Sequence, residues 1–344
     1  MSRIQARFEV VRGGVPVAEL TAGPNDAASV SFSGDADIKL SFSGTFDEIP
    51  PQVNFLTDHL RPSLLIDGTE YPLGEYVITT PQAEKEGERV RWQLTGYDLT
   101  YLAQLSRLEE RLHFSKDDPY RETIIALLGE AGIPRVELPQ SDVKLATDRE
   151  DWEPGTDRLT IVNTLLAEMN YRSLYMDLDG TVRARPWTAP SLQGVQHVYE
   201  SGKDSVLLPS LSLGRDTFDL PNVFIREVEN PDLDKTLRAV AENKDADSPI
   251  SIQNRGFRVV DYEKVDNVAS QEELNGMVQN LLVQSRFSNE TVSYETGPQP
   301  THGIWDVVLL RHGEDKGIYE ETAWELTLDH SSTMSHEGRR ALWL

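Results

Sequence analysis

The side chains best suited to metal or acid–base chemistry in this sequence are seven histidines, which are His59, His113, His197, His302, His312, His330 and His336. No two of them lie four residues apart on a predicted helix, the spacing that places two ligands on one helix face. The stretch His336–Arg340 begins like a zinc-protease motif but lacks the second histidine. His330 and His336 could approach each other on a turn, but surface positions account for both. We therefore predict no metal site.

The acidic segment Asp177–Gly180 has the spacing that starts a calcium-binding loop. The bidentate acid that such a loop needs further along is missing, because residue 188 is threonine. The dipeptide Asp179–Gly180 is instead typical of a type I′ hairpin turn between strands over 173–177 and 181–185. The sequence predicts a turn here and no ion site.

A pair of carboxylates is the remaining catalytic candidate. Glu321 and Glu325 are predicted to share one face of the last strand, which at about 3.3 Å per residue puts them roughly 13 Å apart. That exceeds the window of about 5–9.5 Å in glycosidases. The sequence has no nucleophile elbow, P-loop or dinucleotide fingerprint. We predict no catalytic residue and no cofactor, although carboxylate pairs from different strands stay open.

Composition limits the class of protein. The chain has 344 residues, so two or three domains are expected, and it contains no cysteine for disulfides or thiolate sites. The net charge of −24 is spread along the chain, and no Lys/Arg cluster suits nucleic-acid binding. No apolar run approaches the roughly 18 residues that span a membrane. Residues 3–10 alternate like a strand and do not resemble a signal peptide, so we expect folding in a reducing cytoplasm and no membrane insertion.

The periodicity of apolar residues divides the chain into three regions. Residues 1–96 show short period-two runs separated by turn residues, which predicts an antiparallel barrel or sandwich of about six strands. Residues 97–216 carry apolar residues at helical spacing over 97–112, 119–131 and from about 156, which predicts a helical α+β region. Strand patterns return over 217–344, interrupted by a polar arm and a helix at about 242–288. The predicted fold is therefore β-rich α+β.

Eight short stretches spread over nearly the whole chain carry a family resemblance. They are Leu60–Pro62, Glu70–Pro81, Leu94–Leu99, Tyr120–Ile133, Trp152–Thr156, Asp179–Pro186, Leu220–Ile225 and Asp306–Val308. In this order they resemble the baseplate hub or tail-tip hub proteins of tailed phages and related contractile injection machines. Residues 312–318 depart from the pattern, because they are more charged than the family has before its last strand.

The resemblance implies two tail-tube-like antiparallel β-barrels in one chain, with an inserted helical α+β domain. The first barrel is assigned to 1–96, the insert to 97–216, and the second barrel, with its arm and helix, to 217–344. It also implies a homotrimer, whose six barrels would join a six-fold tail tube to a three-fold spike. The expected partners are the tail tube or distal tail protein, the central spike protein and, as a further candidate, the tape measure protein. The expected location is the virion's tail tip or baseplate, assembled in the host cytoplasm.

The spread negative charge predicts an acidic channel wall that repels DNA phosphates, so that DNA would pass without specific binding. The chain is expected not to be an enzyme. Two alternatives stay open, a tail-associated peptidoglycan hydrolase and a carbohydrate-binding receptor module. The first needs close carboxylates or a metal in a cleft, and the second needs several exposed aromatic side chains on one face. The six tryptophans lie mostly on or beside strand patterns, which favours core or interface positions.

Overall fold

Antiparallel β-sheet dominates the computed structural model, which confirms the prediction of a β-rich chain. None of the helices in the described ranges combines the length and apolarity needed to cross a membrane. The structure describes residues 3–23, 28–87, 89–149, 151–188, 191–203, 205–214, 218–228, 236–265, 268, 270–286, 290–313, 315–329 and 331–342.

The first eight strands form the N-terminal β unit. They are β1 (Ile4–Arg12), β2 (Val15–Leu20), β3 (Ala28–Ser33), β4 (Leu40–Phe46), β5 (His59–Ile66), β6 (Thr69–Pro72), β7 (Tyr76–Glu86) and β8 (Arg89–Asp98). Their order in the sheet is β3-β4-β8-β7-β5-β1-β2, with β6 paired to β5. The turn at Asp67–Gly68 joins β5 to β6, and both residues have positive φ angles, of 49° and 87°, as type I′ turns require.

The next segment, which we call the insert, contains α1 (Tyr101–Leu105), α2 (Tyr120–Glu130), β9 (Val136–Glu137), α3 (Arg158–Glu168), β10 (Tyr175–Met176) and β11 (Val182–Arg183). Helices α2 and α3 were both predicted, and the Asp157 side chain caps α3 by accepting a hydrogen bond from the Thr160 amide. The predicted helix over 97–112 is wrong beyond Leu105. The amides of Leu108 and Leu112 donate instead to carbonyls of residues 156 and 152, so tertiary pairing outweighs the helical leucine spacing.

A short 3-10 helix over Leu192–Gly194 leads into the rest of the chain, which forms β12 (Val195–Glu200), β13 (Leu207–Gly214), β14 (Val223–Val228), β15 (Leu237–Glu242), α4 (Ile252–Arg255), β16 (Val260–Val265), α5 (Gln271–Arg286), β17 (Thr291–Thr296), β18 (Val307–His312), β19 (Asp315–Thr327) and β20 (Met334–Leu342). Strands β13-β17-β20-β19, with β18 on β19 and β12 on β18, make up the C-terminal β unit. Strands β15-β14-β16 form a separate sheet, covered by α5, that we call the outer unit.

Strand β19 belongs to both β units. Its residues 315–320 pair with β18, and its residues 323–327 pair with β3 of the N-terminal unit. A β-bulge separates Glu321 from Ala323 at the change of partner. The result is one sheet of 14 strands running through both units. Among the described strands, the pairing closes neither unit into a ring.

The hydrophobic cores do not follow the predicted regions. One core runs from the N-terminal β unit, with Leu40 and Tyr76, through the insert, with Ile124 and Val162, to Trp305 near β18. The outer unit has a core of its own, built where α5 packs on its sheet. The insert is therefore packed as an extension of the N-terminal unit.

Several elements lie across the predicted region limits. Strands β12 and β13 fall within 97–216 but pair with β18 and β17 of the C-terminal unit. Strands β14–β16 fall within 217–344 but form the outer sheet. Strand β20 was not predicted from the sequence. Its inward-facing residues include the polar His336 and Arg340, so apolar and polar residues do not alternate along it.

Candidate functional site

Trp305 lies where the N-terminal β unit, the insert and the C-terminal β unit meet. Its ring packs edge-on against Phe32 of β3, with centroids 5.7 Å apart, and against Tyr175 of β10, at 5.4 Å. The guanidinium carbon of Arg172 lies 4.9 Å from the ring centroid, and Arg185 donates a hydrogen bond of 2.8 Å to the carbonyl of residue 304. Trp305 has φ 55°, a left-handed conformation that bulky residues rarely adopt. The surrounding contacts therefore hold this backbone in place.

Gly34 provides the space in which Trp305 sits. A Cβ atom at residue 34 would lie 2.6 Å from the indole nitrogen of Trp305 and 3.1 Å from the carbonyl oxygen of Thr322. The Gly34 amide donates a 2.7 Å hydrogen bond to that same carbonyl. The end of β3 can thus approach β19 closely only because residue 34 has no side chain.

A cluster of buried ionisable side chains lies inside the C-terminal β unit, centred on Glu321. This residue is 0% exposed, and its Oε1 accepts a 2.6 Å hydrogen bond from Nδ1 of His336. Its Oε2 accepts a hydrogen bond from Nδ1 of His302. The Tyr294 hydroxyl donates to Oε1 across 3.2 Å. We call Glu321, His302 and His336 the His–Glu cluster.

Strand alternation brings these side chains together. In β17 every second residue is buried, which turns Tyr294 and Thr296 inward. His336 of β20 lies opposite Tyr294 in the register, and the two rings stack with centroids 4.5 Å apart. The bulge in β19 sets the inward direction of Glu321. His302 comes from the loop between β17 and β18.

The outer nitrogen of each cluster histidine also has a hydroxyl partner. Nε2 of His336 lies 2.9 Å from Oγ1 of Thr296, and this hydroxyl also has the Gly297 carbonyl as an acceptor at 2.7 Å. Nε2 of His302 is hydrogen-bonded to the hydroxyl of Tyr199 on β12. Both imidazoles are therefore fixed at both ring nitrogens, which sets their orientation.

A second pair of ionisable groups lies against the cluster. The His197 ring stacks on His302 with centroids 3.8 Å apart, and its Nε2 lies 3.0 Å from Oδ2 of Asp306. The amide of Gly303 donates a 2.7 Å hydrogen bond to the same oxygen of Asp306. This pair anchors the segment that carries Trp305 to the C-terminal β unit.

The charge state of the cluster follows from burial and hydrogen bonding. Burial alone would raise the pKa of Glu321, but hydrogen bonds from His302 and His336 outweigh it and lower the pKa to about 2. Burial lowers the pKa of His336, and the hydrogen bond to Glu321 opposes this shift without cancelling it. At neutral pH the cluster therefore holds an ionised Glu321 beside a neutral His336.

Two sets of side chains have donor atoms close enough to hold one metal ion. The atoms of His302, Glu321 and His336 lie within 4.8 Å of one another, and the same is true of His197, His302 and Asp306. Imidazole nitrogens and carboxylate oxygens are common ligands of zinc. His302, Glu321 and His336 are at most 1% exposed, so a substrate has no access to them.

Sequence reasoning missed this cluster. It weighed His336 as the start of a zinc-protease motif and as a partner of His330, which lies outside the described residues, and the prediction of no metal site stays a prediction. Glu321 and Glu325 were expected on one face of a strand, which is wrong, because Glu321 is buried and Glu325 is exposed on either side of the bulge. Strand register brings residues 321 and 336 together and a loop adds residue 302, so no local motif in the sequence reveals the cluster.

The acidic turn at residues 177–180 is structural, as predicted, but it is not of type I′. Oδ1 of Asp179 accepts a 2.8 Å hydrogen bond from the Thr181 amide, and Oδ2 pairs with Arg183. Gly180 has φ 79°, whereas Asp179 has no positive φ angle, and type I′ needs both. Arg183 thus supplies the positive charge that Asp179 faces.

Exposed apolar residues mark the edge strands of the large sheet. Among the described strands, β2 pairs only with β1, β12 only with β18, and β13 only with β17. Val15 of β2 is 64% exposed, Val198 of β12 is 56% exposed, and Leu213 of β13 is 41% exposed. Unpaired strand edges carrying apolar side chains are surfaces that favour association.

Comparison with known proteins shows the fold. No protein-family model and no curated protein matches the sequence. The tail protein from Neisseria meningitidis MC58 has a similar structure, with a TM-score of 0.69 and 12% identity over 98% of this chain and 97% of that chain. The prophage MuSo2 43 kDa tail protein from Shewanella oneidensis gives a TM-score of 0.67 and 11% identity over 97% and 98%.

A third structure is similar across this whole chain. The E. coli c3393 protein, a component of the type VI secretion system, gives a TM-score of 0.51 and 10% identity over 99% of this chain and 74% of that chain. It is described as structurally similar to the T4 bacteriophage tail proteins gp27 and gp5. The chain therefore has the fold of phage tail proteins.

Proposed function

We propose that this chain, which has the fold of phage tail proteins, is a structural hub of a phage tail tip or baseplate. The observation that carries the proposal is the extent of the likeness. It covers 98% of this chain and 97% of a bacterial tail protein, so both β units, the insert and the outer unit have counterparts in one arrangement. The similarity to a secretion component related to T4 tail proteins points to the same class of assembly.

In this proposal the two β units act as two tail-tube-like barrels, and three chains present six of them. A ring forms only when the rotation between neighbouring chains closes on itself. The two units of one chain already pair edge to edge through β3 and β19, by a strand register over residues 323–327. A contact between chains would continue the same mode of pairing, from a free edge of one N-terminal unit to a free edge of the next C-terminal unit.

The edges available for that contact support the proposal. Strand β2 ends the sheet on one side and β13 ends it on the other, within the described strands. Each carries an exposed apolar side chain, Val15 on β2 and Leu213 on β13. Burying such residues between chains removes apolar surface from water, at about 25 cal/mol for each Å².

The proposed partners are the tail tube or distal tail protein above the ring, the central spike protein below it, and the tape measure protein inside it. The proposed site of action is the virion's tail tip or baseplate. The net charge of −24 suits a channel wall that repels the phosphates of passing DNA. A trimer whose channel wall is neutral or basic would contradict this part of the proposal.

We propose a non-catalytic role. Glu321 accepts hydrogen bonds from two histidines. It is 0% exposed, so it cannot reach a polysaccharide. A sugar-binding face would need several exposed aromatic rings, and none of the tryptophans in the described ranges, Trp92, Trp152, Trp187, Trp305 and Trp324, is exposed. Exposed rings are present at Phe218, Phe257 and Tyr262, in and beside the outer unit, so the carbohydrate-binding module stays the alternative to test there, whereas these positions give the hydrolase no support.

The experiment that tests the proposal is native mass spectrometry of the full chain, alone and co-expressed with candidate spike and tail-tube proteins. A species with three copies of this chain in the complex supports the hub. A chain that stays monomeric with every tail protein, and that degrades purified peptidoglycan, would overturn it. Substituting Val15→Asp and Leu213→Asp places a charge on each free edge and is expected to prevent the trimer, whereas Leu56→Asp, at a loop residue that is 93% exposed, leaves it intact.

A further inference from the structure

We propose that His302, Glu321 and His336 together bind one divalent transition-metal ion, with zinc as the best match, inside the C-terminal β unit. The three side chains supply two imidazole nitrogens and a carboxylate, a ligand set that zinc uses in proteins. This inference goes beyond the hub role and does not depend on it.

The spacing of the donor atoms fits a single ion. They all lie within 4.8 Å of one another. Zinc holds nitrogen and oxygen ligands at about 2.0–2.2 Å, which places two ligands of a tetrahedral site roughly 3.3 Å apart. The present distance from Nδ1 of His336 to Oε1 of Glu321 is 2.6 Å, a hydrogen bond. An ion would take the place of the bridging protons, and the side chains would separate by less than about 1 Å.

The hydroxyl groups around the cluster can accept the proton that the metal-bound tautomer carries on Nε2. A histidine that binds metal through Nδ1 carries its proton on Nε2 and donates it to a neighbour. Nε2 of His336 has Oγ1 of Thr296 at 2.9 Å, and the proton of that hydroxyl has its own acceptor, the Gly297 carbonyl, at 2.7 Å. Nε2 of His302 has the Tyr199 hydroxyl. Both imidazoles can therefore present Nδ1 to an ion.

The surroundings of Glu321 lack a permanent positive charge. Within the described residues, its hydrogen bonds and ion pairs come from His302, His336 and Tyr294, with no arginine or lysine among them. A buried carboxylate is costly unless a positive group compensates it. The Asp306 carboxylate, on the far side of His302, adds negative charge to the same region. A divalent cation would add a permanent positive charge to the two histidine hydrogen bonds that already stabilise the carboxylate, and the Tyr294 hydroxyl lies 3.2 Å from Oε1 of Glu321.

The position of the cluster gives the ion a structural task. It would link β19, β20 and the segment that leads from His302 to Trp305. Because Trp305 contacts Phe32 of β3, the ion would stiffen the junction between the two β units. The burial of all three ligands excludes a reaction with an outside substrate.

The test uses the full chain, stripped of metal with a chelator and titrated with Zn²⁺ against a chromophoric zinc indicator. The unaltered chain should bind one equivalent of zinc. The Glu321→Gln variant replaces the carboxylate ligand with an amide, and we expect it to bind no zinc. Thr296→Val and Tyr199→Phe remove only the hydroxyl partners, so we expect zinc affinity to fall about 10–100-fold. His113→Gln is the control, because His113 is exposed and pairs with Asp151 in the insert.

Elemental analysis of the purified chain and the visible spectrum of its Co²⁺ form provide readouts that do not depend on any variant. Zinc copurifying at one equivalent, and Co²⁺ bands typical of four-coordinate nitrogen and oxygen ligands, support the site. If Glu321→Gln fails to fold, Thr296→Val decides the question. Absence of stoichiometric zinc binding by the unaltered chain, or an affinity unchanged in both Glu321→Gln and Thr296→Val, would overturn the proposal. Either result leaves the hub proposal untouched, since the trimer is measured separately.

Discussion

Phe32 of β3 lies directly opposite Trp324 of β19 in the antiparallel register, with ring centroids 6.0 Å apart. This pair stands at the only joint through which described strands connect the two β units, so it couples the halves of the large sheet. The ring of Trp305 also packs edge-on against Phe32, with centroids 5.7 Å apart. The stability of the joint should therefore depend on aromatic packing.

Replacing Phe32 with alanine tests this dependence. Phe32 is 1% exposed, and we expect a loss of about 3–5 kcal/mol in the free energy of unfolding, because the substitution leaves a cavity between two indole rings. Urea unfolding followed by tryptophan fluorescence measures the loss. Leu56→Ala, at a residue that is 93% exposed, should change the free energy by less than about 0.5 kcal/mol. A loss of less than about 1 kcal/mol for Phe32→Ala would contradict this dependence, because it would mean that the neighbouring side chains fill the cavity.

A methyl group at Gly34 should disturb the same joint from the other side. The new Cβ atom would lie 2.6 Å from the Trp305 indole nitrogen and 3.1 Å from a backbone oxygen, so Gly34→Ala is expected to cost about 1–3 kcal/mol. Gly129→Ala in α2 is the matched control, since nothing lies within 4 Å of its Cβ position. There we expect a gain of about 0.5–1 kcal/mol in the same unfolding assay. Equal effects of the two substitutions would contradict the close approach at Gly34.

Asn222 should control the order of the segment that precedes β16. Its side chain is 0% exposed and makes three hydrogen bonds with backbone groups, donating to the carbonyls of Ile250 and Phe257 and accepting from the amide of Val259. Asn222→Ala leaves these groups without partners, at about 1–3 kcal/mol for each that stays buried. Hydrogen–deuterium exchange should become faster over residues 243–259 and stay unchanged in α2. Unchanged exchange over 243–259 would show that other contacts hold the segment.

Acid should weaken the N-terminal β unit through Asp58. The hydrogen bond from Arg12 lowers the pKa of Asp58 to about 2, against about 3.9 in an unfolded chain. A carboxyl whose pKa is lowered by folding stabilises the protein above its unfolded pKa. That contribution disappears as the pH falls from about 4 to about 2. Asp58→Asn should therefore be less stable at pH 7 and less sensitive to acid, as measured by urea midpoints at several pH values.

The control for this pH dependence is Glu109→Gln, at an exposed carboxylate of the insert. We expect it to keep the acid sensitivity of the unaltered protein. The comparison between variants isolates Asp58 from the many other acidic groups, since effects of distant sites add. If Asp58→Asn followed the same pH curve as the unaltered chain, the ion pair with Arg12 would contribute nothing in solution.

Local signals in the sequence were enough for the elements whose periodicity and turn residues agree. The helices α2 and α3 are examples. The leucines after Leu105 repeat with a helical spacing, but the chain that carries them is not helical. The segment at 152–157 supplies its backbone hydrogen-bond partners instead. That partner is distant in sequence, so no local pattern reveals it.

The candidate site was beyond sequence reasoning for a similar reason. The His–Glu cluster depends on the register of β17, β19 and β20 and on a bulge that reverses which glutamate faces inward. One residue of shift in any of these strands would send its polar side chain to the opposite face. The region limits failed to separate the outer unit, because its strands alternate in the same way as those of the large sheet.

The central claim is that three copies of this chain form a ring in which β units wall a conduit. Electron microscopy of the chain assembled with candidate tail-tube and spike proteins tests this most directly. We expect a three-fold particle with six similar β units around an open, acidic axis. A single β unit per chain at the axis, or a particle without three-fold symmetry, would contradict the account.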